Sequence, residues 1–437
     1  VGFAAPPLAA SSSGERAARI TDTPLRVLVQ RLSVHPTATW PLWGATPGRT
    51  RFVPSGLRPP FRLLYRVRGR ALIEMPPAVA EGLLVFGTHA GVVHAARTED
   101  GSPAWETDLG GCIASSPAVG PGVVYVGWAG PAPCRRGKGS SGGLAALDLR
   151  TGRVLWRFRT GNVESSPLLL GDRLFFAAYR SRSDSTVYAL RLNPRRVVWT
   201  FHLSTKVASS AALIGRTLFV AAYDRRLYSL DAFTGQRRWH SSAMPEGGPG
   251  RIVLALRSLI RHGSFTEAGY YATPTVAYGR VYVGAIDGVF SAFSAATGSH
   301  RWSRNLGGAI YGSAAVWNNA VYIGSSNGAF AALDASTGAT RWRRKLPGRI
   351  LGSATVTNGY VYVSTLSRET FVLDAHDGTI RWRFPDGQYS PLVHDGTRAF
   401  LVGKGRIYAL ANAPQRDPAN SDRRGDGASP PGAAVRP

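Results

Sequence analysis

Cysteine is scarce in this chain: two among 437 residues, with only two Met. So few cysteines exclude a disulfide-dense fold and a zinc ribbon. Lysine is nearly as rare, at 138, 206, 345 and 404 only. Acidic residues number 26 against 52 Lys+Arg, a formal charge of +26. No apolar run approaches the ~18–20 residues that a membrane helix needs. The nine His are scattered, and the closest pair, His89 and His94, brackets Gly91 rather than sharing one turn of a helix; a metal pair is not indicated. No Gly-rich loop opens a helix to cradle phosphate, and no G-x-S-x-G elbow is present. The basic excess does not specify a nucleic-acid partner. It is almost all Arg, spread along an Ala/Gly-rich chain, as GC-rich coding bias would also produce.

What is abundant is ordered. The hydrophobic fraction of 44% supports a sizeable core, and there are 51 Gly and 11 Trp. Trp302, Trp342 and Trp382 recur every 40 residues, as do Trp199 and Trp239. Trp105 and Trp156 extend the series with longer gaps. Most of these Trp close one phrase, such as Leu333-Asp334-Ala335-Ser336-Thr337-Gly338-x-x-x-Trp342. Asp148, Asp231 and Asp374 hold the place of Asp334 in their repeats. Arg97, Arg191 and Ser294 replace it in those closed by Trp105, Trp199 and Trp302.

Upstream of each phrase lie a Ser/Pro/Val run (SSPAV at 115–119, SSPLL at 165–169) and an aromatic run such as VYVGAI or VYIGSS. Each repeat therefore reads as four short strands joined at Gly and Asp-Gly turns. About 40 residues per four-strand unit is the period of a β-propeller blade. Innermost strands are expected at 74–79, 113–119, 163–169, 207–213, 271–276, 311–316, 351–356 and 388–393, which makes eight blades. The eighth lacks a closing Trp phrase. The segment Pro60–Arg66 is expected to supply its outer strand, with Tyr65 in the Trp slot, and so to close the ring. Pro77, Pro117, Pro167, Pro274 and Pro391 fit an unpaired inner edge facing the channel. The expected organisation is a leader over 1–37, a propeller over 38–411 with a helical insertion at 244–269, and a disordered tail over 412–437. Residues 1–13 read as a signal-peptide or anchor remnant, or as a flexible leader. In the insertion, Ile252, Leu256, Leu259 and Ile260 share one helical face.

The Leu-Asp-Ala-x-Thr-Gly-x-x-x-Trp phrase resembles the docking motif of the PQQ-like (pyrroloquinoline-quinone) propeller repeats, over most of the chain. That group includes the quinoprotein alcohol dehydrogenases. It also includes non-enzymatic members such as the lipoprotein subunit of the outer-membrane β-barrel assembly machinery. The opening Trp40-Pro41-Leu42-Trp43-Gly44 and Leu57–Phe61 also resemble actinobacterial PQQ-binding-like envelope proteins. The dehydrogenase branch implies adjacent disulfide-linked cysteines, a Glu/Asn/Asp set around Ca²⁺ and a catalytic Asp. This chain has no Cys-Cys pair, and only Glu74 and Glu164 are acidic near the inner strands.

The expectation is therefore a non-catalytic scaffold at the cell envelope, without cofactor or metal, monomeric, binding protein partners and no specific nucleic acid. The alternatives are a quinone-dependent dehydrogenase and a binder of anionic cell-wall polymer. Trp105, Trp156, Trp199, Trp239, Trp302, Trp342 and Trp382 are expected to dock blades, helped by the turn residues Asp148, Asp231, Asp334 and Asp374. Glu74, Glu164, Lys206, Tyr271, Tyr311, Arg349, Gln388 and Tyr389 should gather at one channel mouth, a mixture suited to a peptide or sugar. Cys112 and Cys134 flank a hairpin of the second blade, so a disulfide is sterically open to them, as are two free thiols.

Overall fold

The computed structural model describes residues 40–134, 141–242, 269–389 and 392–414. The expected insertion helix, the leader, most of the tail and Pro391 fall outside them. Among the described residues the secondary structure is all β, in eight antiparallel sheets arranged as an eight-bladed propeller. The first blade comprises Ala78–Ala80, Leu83–Gly87, Val92–Arg97 and Pro103–Asp108, in that order from the axis outward. The second carries an extra two-residue strand, Gly111–Cys112, paired with Val123–Pro131. In the last blade, Phe61–Arg68 lies outside Arg406–Asn412 and closes the ring. The middle strands are almost wholly buried, because neighbouring blades cover both faces; Ala329–Asp334 (AFAALD) has five buried residues in six.

All eight outer strands share a register break immediately before the docking aromatic. The extra residue precedes Trp105, Trp156, Trp199, Trp239, Trp302, Trp342, Trp382 and, in the closing strand, Tyr65. A bulge re-aims the side chain that follows it, here against the next blade. Four indoles donate there to a backbone carbonyl: Trp105 to Leu149 at 2.8 Å, Trp199 to Ala232 at 3.1 Å, Trp302 to Ala335 at 3.2 Å and Trp342 to Ala375 at 3.0 Å. A glycine in a left-handed turn lies under the ring. A Cβ on Gly338 would stand 2.6 Å from Trp302, and one on Gly101 would stand 2.4 Å from Tyr65. Tyr65 thus occupies the Trp slot of its blade. Trp156 and Trp382 dock differently, Trp156 against Tyr125 and the Arg195 guanidinium, Trp382 edge-on to Phe61.

The inner edges correct one expectation. The innermost strands are only three residues long, such as Ala118–Gly120 and Thr275–Ala277, and each described Pro stands just ahead of its strand. These edges are not unpaired. Residues 40–53 form a strap running round the inside of the ring. The central amide of one inner strand after another donates to a strap carbonyl: Val79 to Trp40, Val119 to Pro41, Leu213 to Pro47, Val276 to Gly48, Val316 to Thr50 and Val356 to Arg51. Proline before the strand leaves these amides free to meet the strap, since its own missing N–H lies outside the contact.

The Ser/Pro runs have a second function that sequence reading missed. The first hydroxyl ties the inner strand to the second within a blade: Ser115 to Gly127 O, Ser165 to Ala177 O, Ser209 to Ala221 O. The next hydroxyl accepts from the amide of the preceding blade, so Ser116, Ser166, Ser210 and Thr273 link in series at 2.7–3.0 Å. Ser313 and Ser353 repeat the link at 2.7 Å. These bonds satisfy buried amides that would otherwise cost stability.

Candidate functional site

The loops entering the inner strands share one end of the ring, and their side chains make a dense aromatic and charged cluster. Glu164 anchors it. It accepts from the Tyr179 hydroxyl and lies 3.4 Å from Lys206 Nζ. Lys206 also sits 4.0 Å from the centre of the Tyr179 ring and 5.7 Å from that of Tyr223, within cation–π range. From there the rings continue edge to face, Tyr223 to Tyr271 at 6.3 Å and Tyr271 to Tyr311 at 5.7 Å. On the other side Glu74 bonds His89 Nε2 at 2.7 Å.

The field of the cluster shows in its phenols. Burial, then the negative charges of Glu164 and Glu74, push Tyr271 well above its ordinary pKa. Burial and Glu164 do the same to Tyr179. Tyr389 is raised by burial and by Glu74, with Arg349 acting the other way. Glu74 is therefore felt by both Tyr271 and Tyr389, which spans the mouth. All these phenols stay protonated at neutral pH and offer O–H donors beside aromatic faces. Gln388 is half-buried, and its Oε1 has no partner among the described residues. Tyr179, Tyr223 and His89 join the cluster although sequence reading did not single them out. The usable signal was Ala-Ala-Tyr at the exit of the second strand of blades three and four, with Tyr179 inside Arg173–Ser181 and Tyr223 two residues beyond Thr217–Ala221.

Cys112 and Cys134 are joined in a disulfide, with Cα atoms 4.9 Å apart. With His89 they form the one His/Cys/Asp/Glu group close enough to share an ion among the described residues, but disulfide sulfurs are not thiolate ligands. The turn aspartates work locally. Asp148 and Asp334 each accept from two backbone amides and a Thr hydroxyl, as in Thr337 N to Asp334 at 2.9 Å. Asp231 also pairs with Arg238 at 2.6 Å, and Asp374 with Arg381 at 3.0 Å. Hydrogen bonds from Arg341 and Thr337 hold the Asp334 carboxyl down at about 2.

The residues present do not fit a quinone with its Ca²⁺. The two cysteines are 22 residues apart rather than adjacent. Glu164 is engaged by a lysine and a phenol, and Glu74 by a histidine. A hard divalent cation wants six or more oxygens with carboxylates among them, and an ammonium already stands at one of the two acids.

Comparison with known proteins agrees with this architecture. A family profile described as "Outer membrane protein assembly factor BamB" matches residues 41–182, 138–248, 183–309 and 305–425. Outer membrane protein assembly factor BamB of Shewanella oneidensis is 29% identical over 211 residues, 38% of this chain and 52% of that one. The quinohemoprotein alcohol dehydrogenase of Comamonas testosteroni is 30% identical over 179 residues, 36% of this chain and 22% of that one. The chain spans about half the length of the first assembly factors it matches. The crystal structure of BamB from Moraxella catarrhalis superposes with a TM-score of 0.62 at 20% identity, over 80% of this chain and all of that one; this likeness speaks to the fold. With the repeat phrase, the eight closed blades and a profile match running through the ring, the chain belongs to the family described as Outer membrane protein assembly factor BamB.

Proposed function

We propose that this propeller is a non-catalytic protein-interaction scaffold of the cell envelope, and that its partner docks on the tyrosine-rich mouth. The observation that carries the reading is the mouth itself. Tyr223, Tyr271 and Tyr311 form an edge-to-face aromatic row, and Lys206, paired with Glu164, joins Tyr179 to the Tyr223 end of it. Aromatic anchors within a charged rim are what protein interfaces use for affinity. Similarity to outer membrane assembly factors supports an envelope location and protein partners for this chain. The distant dehydrogenase similarity is the competing reading, and the donor set at the mouth speaks against it. Reconstitution of the purified protein with PQQ and Ca²⁺, followed by dye-linked alcohol oxidation, separates the two. The scaffold reading predicts no turnover above protein without quinone; robust quinone-dependent turnover overturns it.

A further inference from the structure

The strap carries two charges with no counter-charge. Arg49 and Arg51 are both 0% exposed, and among the described residues neither forms an ion pair. Their partners are neutral. Arg49 donates from Nε to Ala211 O at 2.8 Å, from Nη1 to Trp43 O, and from Nη2 to Ser166 O at 3.2 Å and Pro167 O at 3.4 Å. Arg51 donates from Nε to Ala354 O and from Nη2 to Thr355 Oγ1 at 3.2 Å. Burial pulls both guanidinium groups down to about 9, and Arg51 adds repulsion to Arg49. Both residues also adopt left-handed backbone, with φ of 61° and 54°. For non-glycine residues that is a conformation the surroundings must enforce.

Two buried donors at this place are unsatisfied: Arg51 Nη1 and Trp43 Nε1. Their side chains are neighbours: the Arg51 Cζ stands 4.4 Å from the centre of the Trp43 ring. A guanidinium N–H and an indole N–H only donate, so no flip or tautomer can pair them with each other. What both lack is an acceptor. A water would satisfy the hydrogen bonds but leave two buried positive charges uncompensated, which is costly. An anion accepts the hydrogen bonds and also offsets one of the two charges. Only these two donor atoms lack any acceptor, since the other guanidinium nitrogens each reach a carbonyl or hydroxyl oxygen, and so small a donor set suits a small monovalent ion better than a phosphate or sulfate. We propose that Arg51 and Trp43, with Arg49 behind them, form a binding site for a halide-class anion on the inner strap of the ring.

Arg51 and Trp43 lie on the segment that touches six inner strands, so the ion is part of what holds the ring closed. Thermal unfolding of the whole protein at constant ionic strength, with bromide replacing gluconate, gives the first readout. The expected result is a midpoint that rises with bromide and saturates, as ligand linkage requires. Anomalous diffraction from bromide-grown crystals gives the second, with a peak expected within hydrogen-bond reach of Arg51 Nη1 and Trp43 Nε1. Trp43→Phe keeps the ring and removes one donor, and should weaken bromide by about tenfold, the order of one charge-assisted hydrogen bond. A bromide-insensitive midpoint, or a map with no anomalous peak at the strap, overturns the proposal, and neither requires a variant to fold.

Discussion

One aromatic side chain on each outer strand docks against the neighbouring blade. Trp342 is buried, bonds Ala375 O, and packs on Phe330 and Tyr322 at about the same centroid separation, 5.9 and 6.0 Å. Trp342→Ala should therefore cost about 3–5 kcal/mol, the range for truncating a large buried aromatic, read by chemical denaturation. Gly338→Ala should also destabilise although it adds only a methyl. Its φ is +71° and the new Cβ would meet the Trp302 ring at 2.6 Å. An Ala change at Gly215, with nothing within 4 Å, carries the left-handed penalty alone; the difference between the two midpoints isolates the contact with the ring. The docking phrase was legible because it repeats. The bulge that turns each Trp inward was not, since one extra residue leaves no compositional mark.

At the scale of elements, the strap is the least legible feature and the one that most changes the picture. Residues 40–53 share no period with the blades, and the bonds that seat them on the inner strands all reach segments distant in sequence. Nothing local could reveal that the Pro-flanked inner strands meet them. The strap is fastened to the last blade by His394. Its ring bonds Val53 O at 3.3 Å and receives Gly396 N–H on Nδ1 at 3.2 Å. That pair of roles fixes a neutral ring with the proton on Nε2. Burial lowers its pKa from 6.5 to about 4, against smaller upward pulls from the Val53 carbonyl and Asp395. Between these two values the unfolded chain binds the proton and the folded one does not. Stability from this group is therefore complete above about pH 6.5 and falls as pH drops toward 4. His394→Gln should flatten that part of a stability–pH profile measured by urea unfolding. An unchanged slope would remove His394 as its source.

For the whole molecule, the 40-residue period already implies one ring of eight blades rather than several domains, and the eight sheets have that order. The basic excess proves to be organised. Seven of the eight outer strands carry at least two Arg, as in TRWRRK at 340–345, while the outer strand of the first blade has none. Some of these arginines pair with the turn aspartates, such as Arg341 with Asp334 at 2.9 Å. The belt is exposed, so attraction to polyanions should be screened within about 10 Å at 0.1 M salt. Retention on heparin is expected to vanish at modest salt and to show no preference among polymers. Binding that survives high salt would instead mark a built polyanion site. The mouth was legible only in part: Glu74, Glu164, Lys206, Tyr271 and Tyr311 head the inner strands and so share an end. Tyr179, Tyr223 and His89 arrive from second-strand ends and are placed there by pairing across the sheet. Docking at that mouth is the central claim, and in-cell photo-crosslinking tests it most directly. A photoreactive phenylalanine analogue at position 311 should give a discrete adduct with an envelope protein, and the same analogue at Leu155, on an outer strand and 39% exposed, should not. Equal adducts from both positions, or none from 311, would contradict the account.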